Sequence, residues 1–376
     1  MIAVMPFTSA RRMPSIVAAA RATASPTASS IELVDVPVSS IVFSTMVRAS
    51  RRPSFGHARG DCNRAEGLAA RAAARYATPM RTGALLLGLL LGGAGSAAAH
   101  PVGVATLALD DAARGRRLVT EVWYPARATG RDAPPRAGRF PLVLVAHGNC
   151  GFRTNYEYLT VPLAAEGFVV AAPDFPGFNK AVCDAGAGSI GDIAHDPEGD
   201  LAFLRAVLHE RTGPAARFAR HVRGRRAGLV GHSLGGYVVL RAVLADPAFS
   251  VVAALAPLAV FGREDFAHLS PRRTFLLAGA TGDRTLPYAT VTAPLFALLP
   301  PRAYLLEIVG GSHSGFTDMD STLAPAALAR EQALVRRYVT ALFSRWLAHR
   351  RRAARTLTPE DAAAQGPDVA LTVRLG

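Results

Sequence analysis

Ser233 lies at the centre of LVGHSLGGYVVL, residues 229–240, with Gly231 and Gly235 two positions to either side. The apolar run AGLV precedes it and the helix-like LGGYVVLRAVL follows. That pattern predicts the sharp strand-to-helix turn that lifts a serine hydroxyl out of a sheet, with glycines where the backbone must approach closely. A serine hydroxyl at its own pKa is a poor nucleophile, so the chemistry requires a histidine base and an acid to orient it. In a chain ordered serine, acid, histidine, His313 in VGGSHSGFTD, just after the apolar run AYLLEIV, is the candidate base. His268 and His349 also follow the serine, but the first precedes a strand and the second ends an Arg-rich helix. For the acid, Asp283 in LLAGATGDRTLP follows a strand and is held between glycines and a proline. Asp265 in FGRED is the rival, one strand earlier, in a more charged surround.

Acyl transfer also needs donors for the negative oxygen of the tetrahedral intermediate. The backbone N–H of Leu234, the residue after the serine, is one candidate. The second is the N–H of Asn149 in PLVLVAHGNCGF, where an H-G-x-x-G turn leaves a strand. His147 in that turn and His232 beside the serine read as bracing residues. Phe152, Phe175, Phe178, Tyr237 and Phe316 sit close to these loops and are candidate pocket residues, each with core packing as the alternative.

Positioning these groups requires a sheet with loops gathered at one edge. Apolar runs at 103–108, 117–124, 141–146, 168–172, 227–231, 251–256, 273–278 and 303–309 read as strands, and 153–166, 197–211, 234–245 and 325–349 as helices. This alternation predicts an α/β fold, a mostly parallel eight-stranded sheet covered by helices on both faces, opening with an antiparallel pair. The stretch 257–272 holds no large helical insertion, so little or no lid is expected. An open site suits short acyl chains or an extended polymer.

Half of the 376 residues are apolar and 19% are charged, the profile of a chain with a sizeable core. The net charge of +14 is dominated by arginine, with Lys180 the only lysine, and residues 1–99 hold +7 of it through eleven Arg against four acidic residues. No basic stripe interleaved with aromatics and no nucleic-acid module is evident, so a nucleic-acid partner is not expected. His195, Asp196 and Asp200 bunch near a helix start, where capping and the helix dipole explain the acids. Neither a metal nor a cofactor is expected, and no phosphate-binding glycine motif is present.

Residues 80–99, MRTGALLLGLLLGGAGSAAA, have the order and length of a secretory signal peptide, too short in the apolar part to span a membrane. Residues 1–79 then read as a mis-assigned start or a disordered extension, 100–350 as one catalytic domain, and 351–376 as a peripheral tail. Export to the periplasm or beyond follows, with no stable membrane span after cleavage. Export would leave Cys150 and Cys183 as an even pair in an oxidising compartment, either bridged or as two free thiols.

The motifs EVWYPA (121–126), FPLVLVAHGNCGFRTNYEYL (140–159), GFVVAAPDFPG (167–177), GHSLGG, TGD and GSHSGFTD resemble, in order and spacing, exported α/β-hydrolases of the dienelactone-hydrolase-like and platelet-activating-factor-acetylhydrolase-like group, related to bacterial cutinases and polyester hydrolases. The resemblance covers about residues 101–348. It implies a serine hydrolase acting on small or polymeric carboxylic esters without cofactor, with Ser233, Asp283 and His313 at the matching positions. Dienelactone hydrolases proper use a cysteine nucleophile, so Ser233 speaks against that reaction. A polyester or cutin hydrolase, and a non-catalytic binding module on the same fold, are the alternatives.

Overall fold

The computed structural model describes residues 99–187, 196–319 and 322–376, so the expected signal segment, Ala99 apart, and residues 1–79 lie outside the described residues. The chain enters as a hairpin of β1 (Val102–Asp111) and β2 (Arg116–Pro125), paired antiparallel from Val102↔Pro125 to Asp111↔Arg116. A two-residue β3 (Gly130–Arg131) lies parallel to β1. The centre is six parallel strands: β4 (Phe140–Ala146), β5 (Val169–Pro173), β6 (Val222–His232), β7 (Phe249–Leu255), β8 (Thr274–Ala280) and β9 (Ala303–Ile308). Their runs LVLVA, VVAAP, GLV, VVAAL and TFLLAGA are buried throughout, as strands covered on both faces must be.

The helices are α1 (Glu157–Ala165), α2 (Lys180–Asp184), α3 (Pro197–Val207), α4 (Leu234–Ala245), α5 (Arg263–Ala267), α6 (Ala293–Leu298), α7 (Pro325–Trp346) and α8 (Pro359–Gln365). A tenth strand, β10 (Val369–Arg374), pairs antiparallel with β9. The sheet order is β10-β9-β8-β7-β6-β4-β5-β2-β1-β3. Chain order reverses beside β4, which lies between β6 and β5, and open α/β sheets carry their ligand crevice at the carboxyl ends of the strands at such a point. Segment 256–273 contains only the five-residue α5, in keeping with the absence of a large insertion over that edge.

The structure corrects three expectations. Among the described residues the sheet has ten strands rather than eight, and the tail from 351 is not peripheral. Leu357, Ala362, Val369 and Leu371 are buried in the same hydrophobic cluster as Phe343 and Val335 of α7, and β10 covers the outer edge of β9. The helix expected from 153 begins only at Glu157. Asn155 Oδ1 accepts the Phe152 N–H at 2.6 Å, and Asp174 takes both the backbone N–H and the guanidinium of Arg153, which turns the segment into a loop.

Candidate functional site

Register brings the ends of the central strands level: Ala146 lies opposite Gly231, His232 opposite Leu255, and Ala280 opposite Ile308. The loops leaving β4, β6, β8 and β9 therefore emerge side by side. Ser233 leaves β6 with φ 56° and ψ −120°, a conformation that is costly for any residue with a side chain. Hydrogen bonds hold it there. Its N–H donates to Leu255 O at 3.0 Å, and its carbonyl accepts from Gly236 N at 2.9 Å and Leu258 N at 3.0 Å. A Cβ at Gly231 would collide with Gly235 O, and one at Gly235 with Ala146 O, so only glycine lets strand, turn and helix close this tightly.

Asp283, 3% exposed in the loop after β8, faces His313 in the loop after β9. His313 Nδ1–H donates to Asp283 Oδ2 at 2.7 Å. The other oxygen, Oδ1, accepts the N–H groups of Thr285 and Leu286, each at 2.8 Å, which fixes the orientation of the carboxylate. The rival acid Asp265 is committed elsewhere, accepting the Gly262 N–H at 2.8 Å at the start of α5. His268 and His349 are exposed, at the ends of α5 and α7. The His313 ring lies 4.6 Å, centroid to centroid, from that of His232, the neighbour of Ser233. No hydrogen bond joins Ser233 Oγ to His313 in this structure, the looser geometry often found before a substrate binds.

Leu234 is the first residue of α4, where a backbone N–H has no intrahelical acceptor. In the loop after β4, Gly148 N–H donates to Tyr156 Oη at 3.1 Å, Cys150 N–H to Phe178 O at 2.9 Å and Gly151 N–H to Gly148 O at 3.0 Å. Among the described residues the N–H of Asn149 meets no acceptor. A Cβ at Gly148 would lie 3.2 Å from Ser233 Cβ, so this loop runs beside the serine. Asn149, one residue after Gly148, and Leu234, one residue after the serine, thus both lie close to Ser233.

Beneath these groups is a floor of buried, uncharged polar side chains. His147 accepts the Phe175 N–H at Nε2, 3.0 Å, and donates from Nδ1 to Gly148 O at 2.8 Å. Burial pushes its pKa down to about 4, so the ring is neutral and braces the loop, as its sequence position suggested. Tyr156 Oη accepts from Gly148 and donates to His232 Nδ1 at 3.2 Å, joining the loop after β4 to the serine turn. Burial, and secondarily the nearby His313, hold the His232 pKa well below its ordinary value. The sequence reading missed Tyr156, which stands in the YEYL motif but carries no spacing signal of its own.

Of the five candidate pocket aromatics, three are supports rather than lining residues. Phe175 and Phe178 are buried and stack on each other at 5.1 Å, each meeting His147 edge-on. Phe316 is buried and stacks on His232 at 5.8 Å. Their aromatic faces are consumed by the two histidines, which leaves Phe152 and Tyr237 as the half-exposed ones, Tyr237 packing on Phe261 at 5.3 Å. Cys150 and Cys183 form a disulfide with Cα atoms 5.6 Å apart. Cys183 lies in α2 rather than in a loop, so the bridge ties the residue after Asn149 to a helical turn. Asp196 caps α3, and Asp200, fully buried, is held by Arg114 and Arg116, so these acids serve ion pairing. His195 lies outside the described residues.

The model of the family described as "Alpha/beta hydrolase family" matches residues 142–373. The chain belongs to the alpha/beta hydrolase family. Residues 102–177 of this alpha/beta hydrolase also match the family model "Platelet-activating factor acetylhydrolase, isoform II". It is similar to a bis(hydroxyethyl) terephthalate hydrolase of Streptomyces coelicolor, 26% identical over 215 residues, 55% of this chain and 59% of that protein, so the match spans somewhat over half the relative's length. Among solved structures it is similar in fold to a ferulic acid esterase from Streptomyces cinnamoneus, with a TM-score of 0.57 and 24% identity, covering 74% of this chain and 98% of the other.

Proposed function

We propose that this alpha/beta hydrolase cleaves carboxylic esters through Ser233, His313 and Asp283. The observation that carries the reading is the 2.7 Å hydrogen bond between His313 and Asp283 at the level of a serine held in a strained strand-to-helix turn. In this mechanism His313 Nε2 takes the Ser233 proton as Oγ attacks the ester carbonyl. The N–H groups of Asn149 and Leu234 receive the developing oxyanion, and Asp283 fixes the imidazole tautomer and faces the imidazolium that forms. The imidazolium then gives its proton to the departing alcohol, and water releases the acyl group by the same route. Two features of the chain support an exported enzyme: the signal-like segment 80–99 and the Cys150–Cys183 bridge, which persists in oxidising compartments. A mature protein whose N-terminal sequence starts near His100 would support export.

The similarity to a bis(hydroxyethyl) terephthalate hydrolase puts aromatic diesters, and polyesters built from them, among the substrates to assay. The test is hydrolysis of p-nitrophenyl esters of graded acyl length and of bis(hydroxyethyl) terephthalate, with Ser233→Ala beside the parent. Activity that vanishes in Ser233→Ala supports the reading. A folded protein inactive on every ester would favour a non-catalytic binding module instead.

A further inference from the structure

Glu331 is an anomaly of α7. It is 1% exposed, yet among the described residues no basic side chain is paired with it. Buried carboxyls normally have a cation or a full set of hydrogen bonds, because an unpaired buried charge is expensive. Here Oε2 accepts one hydrogen bond, from the Ser312 N–H at 3.1 Å, and Oε1 is buried with no partner. Ser312 immediately precedes His313 and its hydroxyl accepts the Gly315 N–H at 3.2 Å, closing the turn that carries the histidine. That turn is shaped around the carboxyl. A Cβ at Gly311 would come within 2.7 Å of Glu331 Oε2, and one at Gly315 would collide with the same oxygen. The glycines of VGGSHSGF therefore have a steric cause in a residue sixteen to twenty positions further on.

We propose that Glu331 is a positioning residue for His313, anchoring the Gly311–Gly315 turn to α7 in its uncharged form, and that loss of its proton is felt by the imidazole. The inference rests on the proposed role of His313 as base. The charged and titratable groups facing Glu331 are Asp283 from the loop after β8 and Tyr158 from α1, whose hydroxyl donates to Phe316 O at 3.0 Å; His313 sits on the turn that Glu331 holds through Ser312. None of them offers a fixed positive charge. Burial, with the negative charge of Asp283 adding to it and the Ser312 hydrogen bond opposing, pushes the Glu331 pKa up to about 7. The surroundings thus favour the uncharged form of the carboxyl. An ionised Glu331 favours the imidazolium, so its removal must lower the pH at which His313 becomes competent.

The test compares the parent protein, Glu331→Gln and Glu331→Ala in kcat and KM for a p-nitrophenyl ester from pH 5 to 9, with Ser233→Ala as control. Gln keeps the acceptor for Ser312 and imitates the neutral acid. Glu331→Ala is expected to lose about tenfold in kcat with KM within about twofold, and Glu331→Gln to recover most of that loss. In Glu331→Gln the acid limb of kcat/KM should narrow to a single ionisation and move to lower pH by at least about half a unit. The downfield proton resonance of the His313 Nδ1–H should shift with pH near neutrality in the parent and lose that step in Glu331→Gln, which covers the case of an alanine variant that does not fold. A Glu331→Gln acid limb superimposed on the parent's would overturn the proposal, because the carboxyl would then act only as packing. Hydrolysis surviving in Ser233→Ala would overturn the parent reading and this inference together, a different and recognisable failure.

Discussion

Asn in place of Asp283 changes one atom and should disable the proposed reaction while sparing the fold. Asp283 Oδ1 is bound by two backbone N–H groups, from Thr285 and Leu286, at 2.8 Å each. Those donors are fixed, so the asparagine must turn its carbonyl oxygen to them and its NH2 to His313. The imidazole nitrogen now facing a donor instead of an acceptor, Nδ1, must give up its proton, and the proton moves to Nε2. Nε2 is the atom that has to receive the serine proton, so the base is lost in the ground state, and the imidazolium loses the anion 2.7 Å away. A wrong tautomer at such a dyad costs about 10⁴ in kcat, roughly 5 kcal/mol of transition-state stabilisation. KM should stay within about twofold, since neither residue is placed to bind ground-state substrate. The assay is steady-state hydrolysis of a p-nitrophenyl ester by Asp283→Asn and Asp265→Asn, with urea unfolding of both to confirm that stability changes little. Asp283→Asn retaining more than about a tenth of parental kcat, or a loss confined to Asp265→Asn, would refute the assignment.

Three further outcomes follow from the surroundings of the site. The Cys150–Cys183 bridge closes a loop at a sequence separation of 33, so Cys183→Ala should lower unfolding free energy by about 3–4 kcal/mol on the chain-entropy account, measured by urea titration without reductant, and lower kcat by loosening the loop of Asn149. His147 has a folded pKa of about 4 against about 6.5 when unfolded, so the unfolded chain binds the extra proton first as pH falls. Its contribution is fully present above about pH 6.5 and declines toward pH 4, by about 3 kcal/mol, and in His147→Asn the acid-side fall of stability should be shallower in urea titrations across that window. A chain ending at Gly366 loses Val369 and Leu371, both buried, and bares the edge of β9. It should lose at least about 2 kcal/mol of stability and gain a tendency to aggregate, seen by thermal melting and light scattering, whereas a truly peripheral tail would leave both unchanged.

Legibility in the sequence followed the physics of each element. Most central strands could be drawn to within two residues because strands buried on both faces are continuous apolar runs, whereas β6 starts at Val222, five residues before the expected 227, in the exposed run RGRR; the serine turn was legible because its glycines sit at fixed offsets. Asp283 could be ranked above Asp265 by its loop, held between glycines and a proline, against the charged surroundings of Asp265, but its contact with His313 was not legible, since hydrogen-bond partners depend on how two loops meet. The tail was underread. VALTVR at 369–374 does alternate, with Val369 and Leu371 buried and Ala370 and Thr372 exposed, yet six residues after an Arg-rich stretch are too short for periodicity to decide. The aromatics near the loops could be located but not aimed: whether Phe175 faces a cleft or a histidine ring is set by tertiary packing. Tyr156 and Glu331 had no signal, because each acts across the fold, Tyr156 on Gly148 and His232 and Glu331 on the His313 turn.

The shifts beneath the site share one direction. Burial lowers His147 and His232 and raises Tyr156, Tyr158 and Glu331, so every floor group is driven toward its neutral form, while Asp283, supplied with two N–H donors, faces His313. A proposed mechanism that creates an imidazolium and an oxyanion together gains from this arrangement. In that mechanism Asp283 lies against the imidazolium at 2.7 Å, and the oxyanion meets oriented N–H dipoles that need no reorganisation. The same economy exposes the weakest member. His147 and Tyr156 are far from titrating near neutrality, but Glu331 is not, and its ionisation places a second negative charge beside the dyad. The proposed pH dependence of hydrolysis around neutrality therefore turns on Glu331, a residue outside the proposed set of Ser233, His313 and Asp283.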